Sequence, residues 1–218
     1  TPREATRRGR PTAARRQAIA DRRDQILAEA TRLFAERGFQ GTTVRQIADA
    51  VDILSGSLYH HFATKEDILA EIVRAAVERT RDVAQAIAAS DMPAEERLTL
   101  LIRASLAELE VNAAVPAILY NERKFFRARA DFAFVVEAKK DVYAAWERII
   151  TDGMGEGVFA QALDLFLAIT TIVRMITSAA DWFPGENAHM LDDAHTYRAG
   201  QIADFHCGFI LRALRAAG

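Results

Sequence analysis

The chain has 218 residues, half of them hydrophobic, with a formal net charge of −2 and only 11 Gly and 5 Pro, so it can bury a sizeable core but has little room for a turn-rich β fold. The charge is divided: residues 1–66 hold 12 Lys+Arg against 8 Asp+Glu and the remainder 16 against 22, which joins a basic N-terminal part to a larger acidic one. Cys207 is the single cysteine, which excludes an internal disulfide and suits a reducing, cytoplasmic setting.

Residues 1–20 form a basic tail; within residues 1–23, eight Arg stand against Glu4 and Asp21. Arg8-Gly9-Arg10-Pro11 looks like the core of a minor-groove hook, an extended backbone whose Arg8 and Arg10 side chains seek the negative potential of a narrow groove. A solvated leader has the same composition, and both readings predict disorder without DNA. Ile26, Leu27, Ala30, Leu33 and Phe34 then mark an amphipathic helix ended by Gly38. Val44, Ile47, Ala48 and Val51 give one face of a short second helix, with Thr42 or Thr43 available to cap it. A turn is expected at residues 52–54, and residues 55–61 offer a third helix of about two turns whose outward residues are small or hydrogen-bonding. Two short helices so joined, the second able to approach base edges closely, read as a helix-turn-helix that lays its second helix in the major groove. A pair of short helices in an ordinary helical core shares the apolar spacing. Ile68, Leu69, Ile72, Val73 and Ala76 begin a further helix near Lys65. DNA affinity rests largely on phosphate neutralisation, so the basic end is where a duplex would dock.

These residues resemble the TetR-type one-component transcriptional regulators. The resemblance is carried by Leu33-Phe34 with Gly38-Phe39, Thr42-Thr43 with Ile47-Ala48, Gly56, Leu58-Tyr59, His61-Phe62 and Lys65-Glu66, over about residues 24–69. The rest matches mainly in length and helical pattern. Two positions depart: Asp52 stands where the family usually has Gly, and Leu54 where it usually has Ser, which makes Ser55 the expected cap of the third helix. Ser55, Gly56, Ser57 and His60 are expected at base edges, and Thr43, Arg45, Tyr59, His61 and Lys65 at phosphates. More narrowly, residues 54–61 resemble a branch of that family, the actinobacterial repressors of cholesterol-ring degradation, which respond to a coenzyme A thioester of a ring fragment.

From Pro93 onward the pattern stays helical. Leu98, Leu101, Ile102, Leu106 and Leu109 mark a helix ending near Pro116, and a shorter piece spans residues 117–129. A long helix is expected over residues 131–152, three glycines at 153, 155 and 157 break the chain, and helices over 159–182 and 195–216 close it. The longest apolar stretch, residues 163–173, is interrupted by Asp164 and stopped by Arg174, too short to span a bilayer, and the Arg-rich start has no signal-peptide pattern. No membrane is therefore expected as a partner. The fold expected is all-α with about nine helices: a three-helix helix-turn-helix domain over residues 21–66, then a larger ligand-binding and dimerisation domain over residues 67–218, joined by the helix from about residue 65.

Ala168, Ile169, Ile172, Val173 and Ile176 surround most of one helix with apolar groups, and Phe205, Phe209, Ile210 and Leu214 do much the same on the last. Paired across a two-fold axis they would form a four-helix bundle, although burial within one chain would use the same residues. The resemblance implies the homodimer, with Ala168, Ile172, Ile176, Phe205 and Phe209 at its seam. Two reading helices about 34–36 Å apart would then meet a palindromic operator in double-stranded DNA.

The resemblance also implies a small-molecule effector. Candidate apolar walls are Leu109, Ile118, Phe125, Phe126, Trp146 and Trp182, with Tyr120, Asn121, Arg174 and Ser178 as polar groups, although an aromatic in such a pattern is more often plain core than ligand wall. Arg123, Lys124, Arg127 and Arg129 crowd seven residues of an otherwise acidic part; such donors hold phosphates and carboxylates, and an acyl-coenzyme A thioester would place its acyl group inside and its phosphates on that rim. A solvated helix face is the other reading. Asp181-Trp182-Phe183-Pro184-Gly185 is similar to the end of the penultimate helix in the fatty-acid and steroid catabolism branches of the family. The function expected is a repressor that binds its operator as a homodimer and is released by an acyl-coenzyme A thioester, with a free hydrophobic acid or drug-like molecule as the alternative effector. An enzyme is not expected: His60-His61, His189, His195 and His206-Cys207 lack metal-ligand spacing, and neither a nucleophile motif nor a phosphate-binding Gly loop occurs, so no catalytic residue, metal or cofactor is assigned. A helical protein-binding adaptor would need neither the basic tail nor the small-residue third helix.

Overall fold

The computed structural model describes residues 13–179, Tyr197 and residues 199–215. Among these residues the chain forms ten α-helices and one 3-10 turn. It divides at Leu69 and Ala70 into two compact units. The first unit contains α1 (Ala13–Arg37), α2 (Val44–Ala50), α3 (Ser55–Leu58) and the start of α4 (Lys65–Ala89). Ile26, Ala30, Leu33 and Phe34, at spacings of three and four along α1, are all buried, and so are Ile47, Ala48, Leu58, Phe62, Ile68 and Leu69. Burial of each large apolar side chain stabilises the unit by about 1.5–3 kcal/mol, which a domain this small requires. Gly38 ends α1 with φ at 75°, and Phe39 then returns to the core, its ring edge-on to Phe34 at 5.3 Å. Thr42 is the buried threonine of the pair, donating to the carbonyl of Gly38 at 2.9 Å; Thr43 is the cap, in a reciprocal capping box with Gln46. Thr64 and Asp67 exchange the same kind of bonds at the head of α4.

The second unit carries the rest of α4, then α5 (Ala94–Val111), α6 (Ala114–Asn121), α7 (Arg123–Ala128), the 3-10 turn Ala130–Phe132, α8 (Ala133–Gly155), α9 (Leu165–Ser178) and α10 (Ala199–Leu214). Leu98, Ile102, Trp146, Ile149, Ile150, Ile169 and Ile210 form its core, drawn from α5, α8, α9 and α10. Buried Arg97 ties the ends of three helices: it donates to the carbonyl of Ala88 at 3.1 Å and to the Asp152 carboxylate at 2.8 Å, while Glu156 accepts the N–H of Ala94 at 3.1 Å. These ties carry α8 past residue 152, through Gly153 and Gly155, to a break at Gly157 with φ at 77°. The helix expected from residue 159 begins instead at Leu165. Phe159 and Ala160 pair with the end of α10, the N–H of Ala160 bonding the carbonyl of Leu214 at 2.9 Å, and Asp164 caps α9 by accepting the N–H of Leu167 at 3.0 Å.

Candidate nucleic-acid interface and effector region

The end of α2 closes through two bonds, Asp52 N–H to the carbonyl of Asp49 at 3.3 Å and Ile53 N–H to that of Ala48 at 3.0 Å, a pattern that requires a left-handed residue between them. Asp52 supplies it, with φ at 53°. Aspartate tolerates that region better than most residues, so the turn survives without the glycine usual in the family. The expected cap of α3, Ser55, is corrected. Leu54 is the capping residue, extended at φ −69° and ψ 143°, and its carbonyl accepts the N–H of Ser57 at 2.8 Å, which leaves Ser55 one position inside the helix and no side-chain cap at all. The third helix is also shorter than two turns: after Leu58 the chain continues in 3-10-like bonds, His60 N–H to Ser57 and His61 N–H to Leu58.

Three basic side chains of this unit bind carbonyls within it. Arg22 donates to Val51 at 3.0 Å, and Arg23 donates to His61 at 2.5 Å with its guanidinium 3.9 Å over the Phe62 ring. Lys65 donates to the carbonyls of Phe39 and Thr42, both at 2.7 Å, and lies over the Phe39 ring. Val51 is the C-cap of α2, so the Arg22 cation also offsets the partial negative charge of that helix end. Lys65, expected at a phosphate, thus commits two of its three N–H donors to holding the loop ahead of α2. Arg22 and Arg23 were read from the sequence only as charge; their partners lie 29 and 38 residues away, beyond any local signal. Thr43, Arg45, Gly56, Tyr59 and His60 are exposed, Ser55, Ser57 and His61 are half-buried, and Arg8 and Arg10 lie outside the described residues. Burial, followed by the charges of Arg23, Arg22 and His60, lowers the pKa of His61 below the ordinary imidazole value.

In the second unit the expected effector residues separate into two sets. Leu109, Ile118, Phe126 and Trp146 are buried in the chain's own core, with Phe126 packed at 5.3 Å against Phe132. Tyr120, Asn121, Arg127, Arg174 and Ser178 are exposed and Arg123 is half-buried; the hydroxyl of Ser178 bonds its own helix at Met175; Trp182 lies outside the described residues. Arg123 and Arg174 both lie over the Tyr120 ring, at 4.6 and 5.3 Å. The basic run does not act as one group, because Arg129 pairs with Asp131 at 2.7 Å. Lys139 of α8, which the sequence reading missed, joins the other arginines instead. It reaches solvent but is crowded by protein, and that desolvation, followed by the charges of Arg127, Arg174 and Arg123, lowers its ammonium pKa below the ordinary lysine value. Lys139 and Lys140 are indistinguishable in sequence; only the fold turns the first toward α7 and α9.

The expected dimer residues also separate. Ile172 and Ile176 are corrected as seam residues: α9 turns that face into the core, leaving them 5 % and 2 % exposed, and Ala168 is half-buried. Phe166 and Leu167 are the exposed apolar side chains of α9, and on α10 Phe205 and Phe209 are exposed with their rings stacked at 6.0 Å. Among the described residues no group of His, Cys, Asp and Glu is arranged to hold a metal ion, and no helix is long and apolar enough to cross a membrane.

A family model described as bacterial regulatory proteins, tetR family, matches residues 26–72, and one described as tetracyclin repressor-like, C-terminal domain, matches residues 91–186. The HTH-type transcriptional repressor KstR2 of Rhodococcus jostii is 34 % identical over 165 residues, covering 75 % of this chain and 81 % of that protein. KstR2 of Mycolicibacterium smegmatis is 36 % identical over 167 residues, covering 76 % and 82 %. The solved structure of the ketosteroid transcriptional regulator KstR2 of Mycobacterium tuberculosis superposes with a TM-score of 0.81 at 30 % identity, over 90 % of this chain and 96 % of that one. With both models matched in chain order, and with relatives aligned over more than 80 % of their own length, the chain belongs to the TetR family of bacterial DNA-binding transcriptional regulators.

Proposed function

We propose that this regulator is a homodimeric repressor that binds a palindromic operator and is released by an acyl-coenzyme A thioester from lipid or steroid catabolism. The observation that carries the effector class is the gathering of Arg123, Arg127, Arg174 and Lys139, with no ion-pair carboxylate for any of them among the described residues. Like charges held together raise the energy of the free protein, and a phosphate-bearing ligand relieves that repulsion while the forked guanidinium groups give it direction. The similarity to KstR2 repressors supports the steroid branch. In this reading the basic residues ahead of α1 add affinity, the tail expected over residues 1–20 being shortened because α1 already begins at Ala13; residues 21–66 read the DNA, and residues 67–218 bind effector and dimerise through the exposed aromatic side chains of α9 and α10. Ser55, Gly56, Ser57 and His60 meet base edges; Thr43, Arg45, Tyr59 and His61 meet phosphates. Effector binding acts through α4 and moves the two readers off the operator spacing; a coupling of about 1–3 kcal/mol changes operator affinity from several-fold to a hundredfold.

Native mass spectrometry and thermal shift test the effector class. Acyl-coenzyme A thioesters should bind and raise the melting temperature, and Lys139→Gln with Arg127→Gln should weaken them. Stabilisation by the free acids or cationic drugs, with none by the thioesters, rejects the proposal.

A further inference from the structure

Leu54 is 82 % exposed, the most exposed large apolar side chain among the described residues. Exposure alone carries no message, since much of any protein surface is apolar. Its place does. Leu54 stands at the cap of α3, where Ser, Thr, Asp or Asn would accept an N–H and leucine accepts nothing, and a helix of four residues has little stability to forgo. The residues after it are the small Ser55 and Gly56, and the space where a Cβ on Gly56 would stand is open. The major-groove edges of the four base pairs present donors and acceptors together with one apolar group that a leucine can match, the C5 methyl of thymine.

We infer that Leu54 is a specificity-determining residue that packs against a thymine methyl in each half-site of the operator. The inference rests on α3 being the groove reader and is independent of the effector. The isobutyl group leaves water only when the protein is on its preferred sequence, so the cost of carrying an uncapped leucine is returned as discrimination.

The test is a cycle between Leu54→Ala and removal of single methyl groups. Duplexes selected by the full-length wild-type protein from a random pool are resynthesised with each thymine replaced in turn by uracil, which deletes the C5 methyl and nothing else. At one thymine per half-site, uracil should weaken the wild-type protein about fourfold, the worth of one methyl withdrawn from water. The same change should leave Leu54→Ala within a factor of about 1.5, because the contact is already gone. Leu54→Ser, which supplies the missing cap, should lose the uracil response while keeping its fold. If uracil is silent at every position in the wild-type protein, or costs wild type and Leu54→Ala equally, the inference is overturned. Ser57→Ala distinguishes the two levels of failure: a changed sequence preference with a silent uracil scan overturns the role of Leu54 alone, and no change in either overturns α3 as the reader as well.

Discussion

Asp52 holds a left-handed backbone that glycine adopts without steric cost, and Leu54 occupies a cap position that it cannot use. Asp52→Gly should therefore stabilise the protein by about 1 kcal/mol, and Leu54→Ser by a similar amount through its new cap, both read as a higher midpoint in urea with an unchanged slope. On DNA, Tyr59→Phe should weaken specific and random duplexes alike, whereas Ser57→Ala should change which sequence is preferred; equal losses on both duplexes for both variants would contradict the division between phosphate and base contacts. Lys139 provides a pH signature. Its pKa in the folded protein lies below lysine's ordinary 10.5, so in the alkaline window beneath that value the unfolded chain binds more protons and folding stability rises with pH. A bound anion raises the Lys139 pKa again, so effector affinity should be fully present below the free protein's pKa and fall as pH rises through it, a fall that Lys139→Gln should lack in calorimetric titrations. Gly38 and a cap from one of Thr42 and Thr43 were legible because each acts on its own backbone, while Ser55 was misassigned because the position of the cap follows from how the turn at Asp52 closes.

Helix spacing made the elements legible and left their ends less so. α1 and α4 follow their apolar periods, but α9 starts at Leu165 rather than residue 159 because two residues are drawn into pairing with α10. The same pairing sets Phe159 against α8, where a Cβ on Gly153 would strike its ring. Gly153→Ala should therefore cost about 1–3 kcal/mol, while Gly155→Ala, at a position with open space, should stabilise or be neutral; both are measured by thermal melting. In the reader, Arg23→Ala removes the bond to His61 and the stacking on Phe62, so it should destabilise by about 1–3 kcal/mol and weaken specific binding more than its single charge would. Long-range clamps of this kind leave no trace in local sequence.

For the whole molecule, the charge division between the ends of the chain was legible, but which cations face solvent was not. Arg22, Arg23 and Lys65 are engaged with carbonyls, and Arg32 with Glu29 and Glu36, so the basic surplus of the first unit overstates what it offers to phosphates. The apolar character of the last two helices was legible, whereas the split between inward Ile172 and Ile176 and outward Phe166, Phe205 and Phe209 required the packing of α9 and α10. Phe209→Glu should leave the fold intact and convert dimer to monomer in sedimentation velocity, with operator affinity falling at least about tenfold, since a single reader loses the second half-site. The proposed function turns on release of this regulator from DNA by a thioester anion. Fluorescence anisotropy of labelled operator, titrated with an acyl-coenzyme A thioester and with its free acid, tests it most directly. The thioester should lower the anisotropy of the wild-type complex, the free acid should not, and Arg127→Gln with Lys139→Gln should require at least about tenfold more thioester; equal release by the free acid, or a thioester response untouched by those substitutions, would overturn the proposed effector.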